Sequence, residues 1–271
     1  MKAFTTMAYR QIKRFFRAKS RVIGMFVNPL IWLIFFGLGW SKVFNFPMAS
    51  ALFGGVDYLS FLAPGITAMT IFNASFIAGI SVIWDKQFGF LKEILVAPAS
   101  RKEAITGRMV GDSTMAVLQG LIILLLTFTI ANSLKFSGVL PMILIGFLLA
   151  IAFSSFGVSL ALRMTSMEGF QMIMSFLMLP LMFLSGAFYP VETMPTWMQY
   201  LAYINPLTYA VDAARHVLIN TPATTATASM PGMPTVSLTR FSLPTDIGVL
   251  GILALAFLVV AMISFERATI E

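Results

Sequence analysis

Cysteine is absent from the 271 residues, and histidine occurs once, at His216. Without cysteine there are no disulfides, no thiolate metal sites and no cysteine nucleophile. A lone histidine leaves no second imidazole for a His-rich metal centre or a histidine relay, so no catalytic and no metal-ligating residue is nominated. Charge is scarce as well: 11% of residues are charged, against about 25% in soluble domains. That is too little to cover a water-facing surface, which excludes a soluble enzyme or a nucleic-acid-binding domain. The net charge of +7 is explained without nucleic acid if the cations collect on one side of a membrane. No GxxxxGK[ST] loop occurs, so the chain has no Walker site and binds no ATP itself. HExxH and paired mid-span carboxylates are also missing. The acidic residue closest to a span, Asp112, stands four residues after Arg108 and is read as the interfacial partner of a neighbouring cation. Proton-driven transport is therefore disfavoured, and an energy source for transport has to come from another chain.

What is present is hydrophobic sequence: 58% of the residues, with a mean hydropathy of +0.88. Charge-free windows run over 22–41, 58–84, 113–134, 136–162, 169–191 and 247–265. Each is close to the roughly 20 residues that a helix needs to cross the hydrocarbon, and backbone groups in lipid must bond within their own segment. The expected fold is therefore an all-α integral membrane protein with six transmembrane helices, at about 22–44, 58–84, 109–134, 138–162, 169–189 and 246–265. A seventh charge-free stretch, 193–211, contains Pro195, Gln199, Asn205, Pro206 and Thr208. That polarity and two prolines make it a broken, re-entrant or interfacial element, with an ordinary loop as the alternative. An even number of spans places both termini on one side. If that side is cytoplasmic it holds fourteen of the eighteen Lys and Arg residues, leaving Lys42, Lys135, Arg215 and Arg240 outside. The bias selects cytoplasmic termini in a multi-pass protein of the cell membrane.

Three segments outside the spans carry patterns of their own. In residues 1–20, Phe4, Met7, Ala8, Ile12, Phe15 and Phe16 share one helical face, and Arg10, Lys13, Arg14 and Arg17 share the other. This predicts an N-terminal amphipathic helix in the cytoplasmic interface, its cations at lipid headgroups; a plain topology anchor is the alternative. The stretch is too basic and the following apolar segment too long for a signal peptide. In the cytoplasmic connection 85–108, Phe90, Leu91, Ile94 and Leu95 recur at helical spacing. Ala97-Pro98 ends that turn, and Ser100 with Glu103 resembles a capping box opening the next helix. The apolar stripe is expected on the membrane surface or in a groove of a soluble partner. In the external connection, 190–219 is proline-broken and aromatic, whereas 220–243 is rich in Thr, Ala and Pro and is expected to be a mobile loop. Asn28-Pro29 and Pro180 are expected kinks. Asp212 and Arg215, three apart on a helix, are expected to pair locally.

Two motifs carry a resemblance. Residues 88–101, Phe-Gly-Phe-Leu-Lys-Glu-Ile-Leu-Val-Ala-Pro-Ala-Ser-Arg, resemble the F-G-T-L-(K/E)-x-L-L-x-x-P-x-S-R stretch of the ABC-2 type permeases, the membrane subunits of ATP-binding-cassette exporters. Leu184-Ser185-Gly186-Ala187-Phe188-Tyr189-Pro190, then Met194-Pro195-x-Trp197-Met198 and Asn205-Pro206-Leu207-Thr208-Tyr209-Ala210-Val211-Asp212-x-x-Arg215, resemble the same family's external motif. Within the family the chain looks like the daunorubicin-resistance drug exporters and the nodulation lipo-oligosaccharide exporters, and the resemblance covers essentially the whole chain as one transmembrane domain, 1–271. It implies that 85–108 contains a cytoplasmic coupling helix docking on an ATPase subunit. Phe90, Leu91, Glu93, Ile94 and Leu95 would be its contacts, Gly89 would permit the turn into it, and Pro98 and Arg101 would shape the exit. It implies external re-entrant helices between spans five and six, with Trp197, Asn205, Pro206, Tyr209, Asp212 and Arg215 at an external gate. A substrate path at a homodimer interface, between spans one, two and five, would use Asn28, Pro29, Phe72, Asn73, Met178 and Met182. The implied partners are two ATPase copies, which supply ATP and Mg, a second copy of this chain, and membrane lipids.

One departure stands out: many relatives carry glutamate just before Phe-Gly, where this chain has Gln87, with Asp85 two residues earlier. The function implied is export of a hydrophobic or amphipathic molecule (drug, lipid or glycolipid) by alternating access. The nineteen Met and twenty-six Phe suit such cargo, though they equally suit lipid-facing and core packing. A secondary transporter or channel without an ATPase, and a non-transport membrane scaffold, are the alternative readings.

Overall fold

The computed structural model describes residues 2–40, 53, 56–96, 98–131, 133–219 and 238–267. The end of the first expected span (41–44) and residues 220–237 of the external loop lie outside the described residues, as do the side chains of Asn28 and Leu95. The described chain is all helical, apart from one antiparallel β-bridge between Leu134 and Ile219. Eleven α-helices are described. They are α1 (Lys2–Arg17), α2 (Lys19–Trp32), α3 (Tyr58–Ile77), α4 (Ile80–Gln87), α5 (Phe90–Val96), α6 (Arg101–Thr127), α7 (Val139–Leu162), α8 (Met167–Phe183), α9 (Thr196–Ile204), α10 (Pro206–Leu218) and α11 (Leu243–Glu266).

Four segments among the described residues are long and apolar enough to cross a membrane: Tyr58–Gln87, Arg101–Thr127, Phe136–Leu162 and Leu243–Glu266. They correspond to the expected spans two, three, four and six. The expected spans one and five are represented by shorter apolar helical stretches, Pro29–Leu38 and Met167–Phe183. Pro29 does not interrupt α2; the helix continues through it and widens into a π-helical segment, Leu33–Leu38. Proline cannot donate a backbone hydrogen bond, which leaves the carbonyl one turn before Pro29 without its intrahelical donor; the π segment lies past that point.

The core lies where α3, α6, α7 and α11 pack against one another. Phe72, Phe76 and Phe153 fill its middle, with Phe72 edge-on to Phe153 at 4.5 Å between centroids. Helix termini are capped by residues close in sequence: the Asp57 carboxylate accepts from Ser60 N at α3, and Ser166 Oγ accepts from Gly169 N at α8. Ser100 Oγ accepts from Glu103 N at α6, as the capping pattern predicts.

Charge marks one end of the molecule. There α1 lies against the start of α6, and at the same end Lys102 Nζ meets Glu266 of α11 at 3.3 Å. The apolar face of α1 is therefore spent largely on protein: Met7 and Phe15 are buried, and only Phe16 and Tyr9 stay well exposed. This differs from a helix lying free on lipid, and the reason is local. Gly107 and Gly111 of α6 stand one turn apart; a Cβ at Gly107 would run into the Phe4 carbonyl, and one at Gly111 would sit 2.9 Å from the Ala8 carbonyl. Two glycines at this spacing let the backbones meet.

Candidate functional site

Two sites emerge, one at each end. At the charged end, α4 terminates just past Asp85 and the chain reverses through Gly89, whose φ of +79° is the left-handed region that glycine enters without cost. The expected turn at Gly89 is thus present, and α5 follows. Of the expected stripe, Leu91 and Ile94 turn inward and Phe90 outward, where Phe88 and Val96 add to the exposed side. Leu91 is buried and Ile94 packs against the core, while Phe88 (72% exposed), Phe90 (48%) and Val96 (70%) face outward with Lys92 and Glu93. Pro98 is exposed beyond the helix. Arg101 donates to the Glu266 carbonyl at 3.3 Å, which ties the exit of this loop to the end of α11.

Behind α5 stands an ionic cluster centred on Asp85. Its carboxylate meets Arg108 at 2.6 Å, Arg10 at 3.0 Å and Arg14 at 3.6 Å. Arg108 also donates to Ser81 Oγ at 2.5 Å and lies 4.0 Å from Asp112, which bears out the reading of Asp112 as a partner of a neighbouring cation. Both Asp85 and Arg108 are nearly inaccessible. Arg10 further lies over the Phe90 ring at 5.8 Å, and Arg14 over Trp84 at 5.3 Å. One buried carboxylate thus joins α1, α4 and α6, with a cation–π contact reaching α5. Lys86 donates to the Leu162 and Met164 carbonyls at 3.0 Å each, satisfying the end of α7 as a cation does at a helix C-terminus. Sequence reasoning passed over Asp85 except as a neighbour of the missing glutamate, because Arg10 and Arg108 are far from it along the chain.

At the other end, α9 and α10 follow one another, joined at Asn205-Pro206; the pair is termed the hairpin. Asn205 is buried; its Oδ1 accepts from Leu207 N at 3.0 Å and its Nδ2 donates to the Leu181 carbonyl at 2.7 Å. Pro206 occupies the first helical position, where its missing N–H costs nothing. The Tyr209 hydroxyl donates to the Tyr203 carbonyl at 2.6 Å, and its ring stacks on Phe241 at 4.9 Å. Asp212 and Arg215 are both buried, not an exposed pair, and each has its own partners. Arg215 donates to the Gly186 carbonyl at 2.6 Å and lies 3.8 Å over the Phe61 ring. Asp212 accepts from the backbone N–H of Arg240 at 2.9 Å and of Phe241 at 2.7 Å. Gly186, φ +74°, makes the turn that presents its carbonyl to Arg215. Of the six expected gate residues, five lie along α10 or at its cap; Trp197 projects outward, 64% exposed.

The expected path residues do not form one surface. Phe72 is fully enclosed and serves as core packing, because Phe76 and Phe153 surround it. Asn73 is half-buried, with Oδ1 inaccessible and unbonded among the described residues. Pro29 is buried, and Met178 and Met182 pack partly against the core. An aromatic group absent from the sequence reading, Trp32, Phe36, Phe183 and Phe188, joins the π segment to the end of α8 at centroid distances of 5.1 to 6.5 Å.

Comparison with known proteins identifies the family. Residues 2–219 match the model of the ABC-2 type transporter family. The chain is 32% identical over 210 residues to ycf38 of Cyanophora paradoxa, whose name describes a transport permease; the match covers 75% of this chain and 71% of that one. It is 27% identical over 235 residues to the daunorubicin resistance ABC transporter permease protein DrrB1 of Streptomyces coeruleorubidus, covering 81% and 76%. It is also 28% identical over 211 residues to nodulation protein J of Rhizobium leguminosarum bv. trifolii, covering 76% of each chain. The chain belongs to the ABC-2 type transporter family. It is accordingly a multi-pass membrane protein and a transport permease of an ABC transporter, the membrane subunit and not the ATPase.

Proposed function

We propose that this permease serves an ATP-driven exporter that moves a hydrophobic or amphipathic molecule, a drug, lipid or glycolipid, across the cell membrane. The observation that carries the reading is the outward face of α5. Phe90 and Val96 stand exposed beside Lys92 and Glu93, with Phe88 exposed just before the turn, on a helix too short to span lipid and fixed to the bundle through Leu91. Such a face suits a cleft on a soluble partner. In the proposed assembly two copies of the chain form a homodimer over two ATPase subunits, which hold the ATP and Mg.

The six-span topology belongs to this proposal, with α2 plus its π segment as the first crossing and α8 as the fifth. Support comes from the fourteen cations in cytoplasmic segments and from the contacts that bring α1, α5 and the end of α11 to one end. Closure of the ATPase dimer would displace α5. Asp85 holds α1, α4 and α6 together, so the displacement passes to the bundle as a rigid unit and the two halves rock about their interface. The energetic content is a population shift: the nucleotide-bound partner binds one arrangement of the halves more tightly. Cargo would pass between the halves along α2, α3 and α8, near Pro29, Asn73, Met178 and Met182. The α9–α10 hairpin, held by Asn205 and Arg215, would close the exit.

The test is co-expression with the cognate ABC ATPase. Phe88→Ala combined with Phe90→Ala should lower co-purification and transport at least tenfold, with stability falling by no more than the Arg10–Phe90 contact accounts for, about 1 kcal/mol. Full transport without any ATPase would overturn the reading in favour of a secondary transporter or channel.

A further inference from the structure

Beside the hairpin, α10 and the first turn of α11 bring three potential ligands together. The carboxylates of Asp212 and Asp246 and the imidazole of His216 each offer an atom, and all three atoms lie within 4.8 Å of one another. Ligands around a divalent ion with bonds of 2.0 to 2.6 Å lie about 3 to 5 Å apart, so the spread fits one shared ion. Asp212 and His216 are four residues apart on α10 and present themselves on the same helical face.

Asp246 supplies the independent sign of a ligand. It is fully buried, and neither Oδ1 nor Oδ2 has a hydrogen-bond partner among the described residues. A buried carboxylate without donors is costly, and the nearby cations are engaged elsewhere. Arg215 is turned to the Gly186 and Ala187 carbonyls, and the Arg240 side chain to Glu192 at 3.8 Å. No ion pair to Asp212 or Asp246 occurs among the described residues.

The surroundings are those of a prepared ligand set. His216 Nε2 stands 2.7 Å from the Phe241 carbonyl. A carbonyl only accepts, so Nε2 carries a proton and Nδ1 is the nitrogen a metal would use, the usual way a backbone carbonyl orients a ligating imidazole. Asp212 is oriented by the N–H groups of Arg240 and Phe241, which leave carboxylate lone pairs free.

We propose that Asp212, His216 and Asp246 bind a divalent transition-metal ion that pins the α9–α10 hairpin to the last membrane helix. Two carboxylates and one imidazole suit zinc or manganese, with the remaining coordination positions open to water. The site depends on the fold alone and not on the direction or cargo of transport.

The full-length chain in detergent or nanodiscs, stripped with chelator, is titrated with ZnCl2 or MnCl2 and followed by calorimetry and thermal unfolding. One equivalent per chain should bind at micromolar or tighter concentration and raise Tm by several degrees. Asp246→Asn and His216→Gln should each weaken binding at least tenfold and remove the Tm gain. His216→Gln leaves both carboxylates in place, so it serves alone if Asp246→Asn fails to fold. Absent binding, or binding unchanged in the variants, overturns the proposal and leaves a proton shared by the two carboxylates. Stabilisation by CaCl2 but by neither transition ion overturns the ligand class.

Discussion

Asp85 is the residue on which the charged end depends. Its buried partner is Arg108, and both side chains are only 2% exposed. Removing one member of such a pair leaves a buried charge uncompensated, at a cost of about 3–5 kcal/mol. Arg10 is a third exposed, and loss of a solvent-screened partner costs about 1 kcal/mol or less. Asp85→Asn and Arg108→Met should therefore each lower the unfolding midpoint far more than Arg10→Met. The Asp85→Asn/Arg108→Met double variant should recover part of the loss. Equal effects of all three single variants would show that the cluster does not act as a buried pair. At this scale the sequence was only partly legible. Ser100 and Gly89 announced their roles because caps and turns are local. Asp85 did not, because its meaning lies in residues 23 and 75 positions away.

Among the elements, α1 is the one whose surroundings the amphipathic pattern left open. Its periodicity states that one face must be covered, and lipid and protein satisfy that equally. The choice was made by Gly107 and Gly111 on α6. Gly107→Leu should force α1 away from α6, an overpacking cost of about 1–3 kcal/mol. Trypsin should then cut within Arg10–Arg17 several-fold faster, while the rest of the bundle stays resistant. The same variant with unchanged cleavage would mean that α1 is held by Asp85 alone. Helix α5 shows the complementary lesson. Its existence, and the turn before it, were legible from Phe-Gly-Phe-Leu and Pro98. Which of its apolar residues face outward was not, since Leu91 and Ile94 are claimed by the core and Phe90 and Val96 are left.

For the whole molecule, exposure is uneven even though every span is apolar. Helix α3 is almost wholly buried, whereas α8 displays Met172, Phe176 (79% exposed) and Leu179, and α2 with its π segment displays Ile23, Ile31 and Phe35. Lipid covers such faces readily, and so does a second copy; the proposed homodimer places α2 and α8 at the contact. On that reading Phe176→Glu should shift the detergent-solubilised protein from dimer to monomer in light scattering, with little change in the unfolding midpoint of the monomer. A persistent dimer would move the interface to another face. By itself the sequence determined the class: charge too sparse for a soluble surface, helices because lipid offers the backbone no partners, and an ABC-2 membership legible in motifs that act locally as turns and caps. Only the tertiary structure decided which charges are buried together. It gathered Asp85 with Arg10, Arg14 and Arg108, and it turned the chain's one histidine, unremarkable in isolation, toward two carboxylates, Asp212 and Asp246, from different helices. Ionic and ligand chemistry depends on distances of a few ångströms, and those are set by packing between segments that the chain order keeps apart.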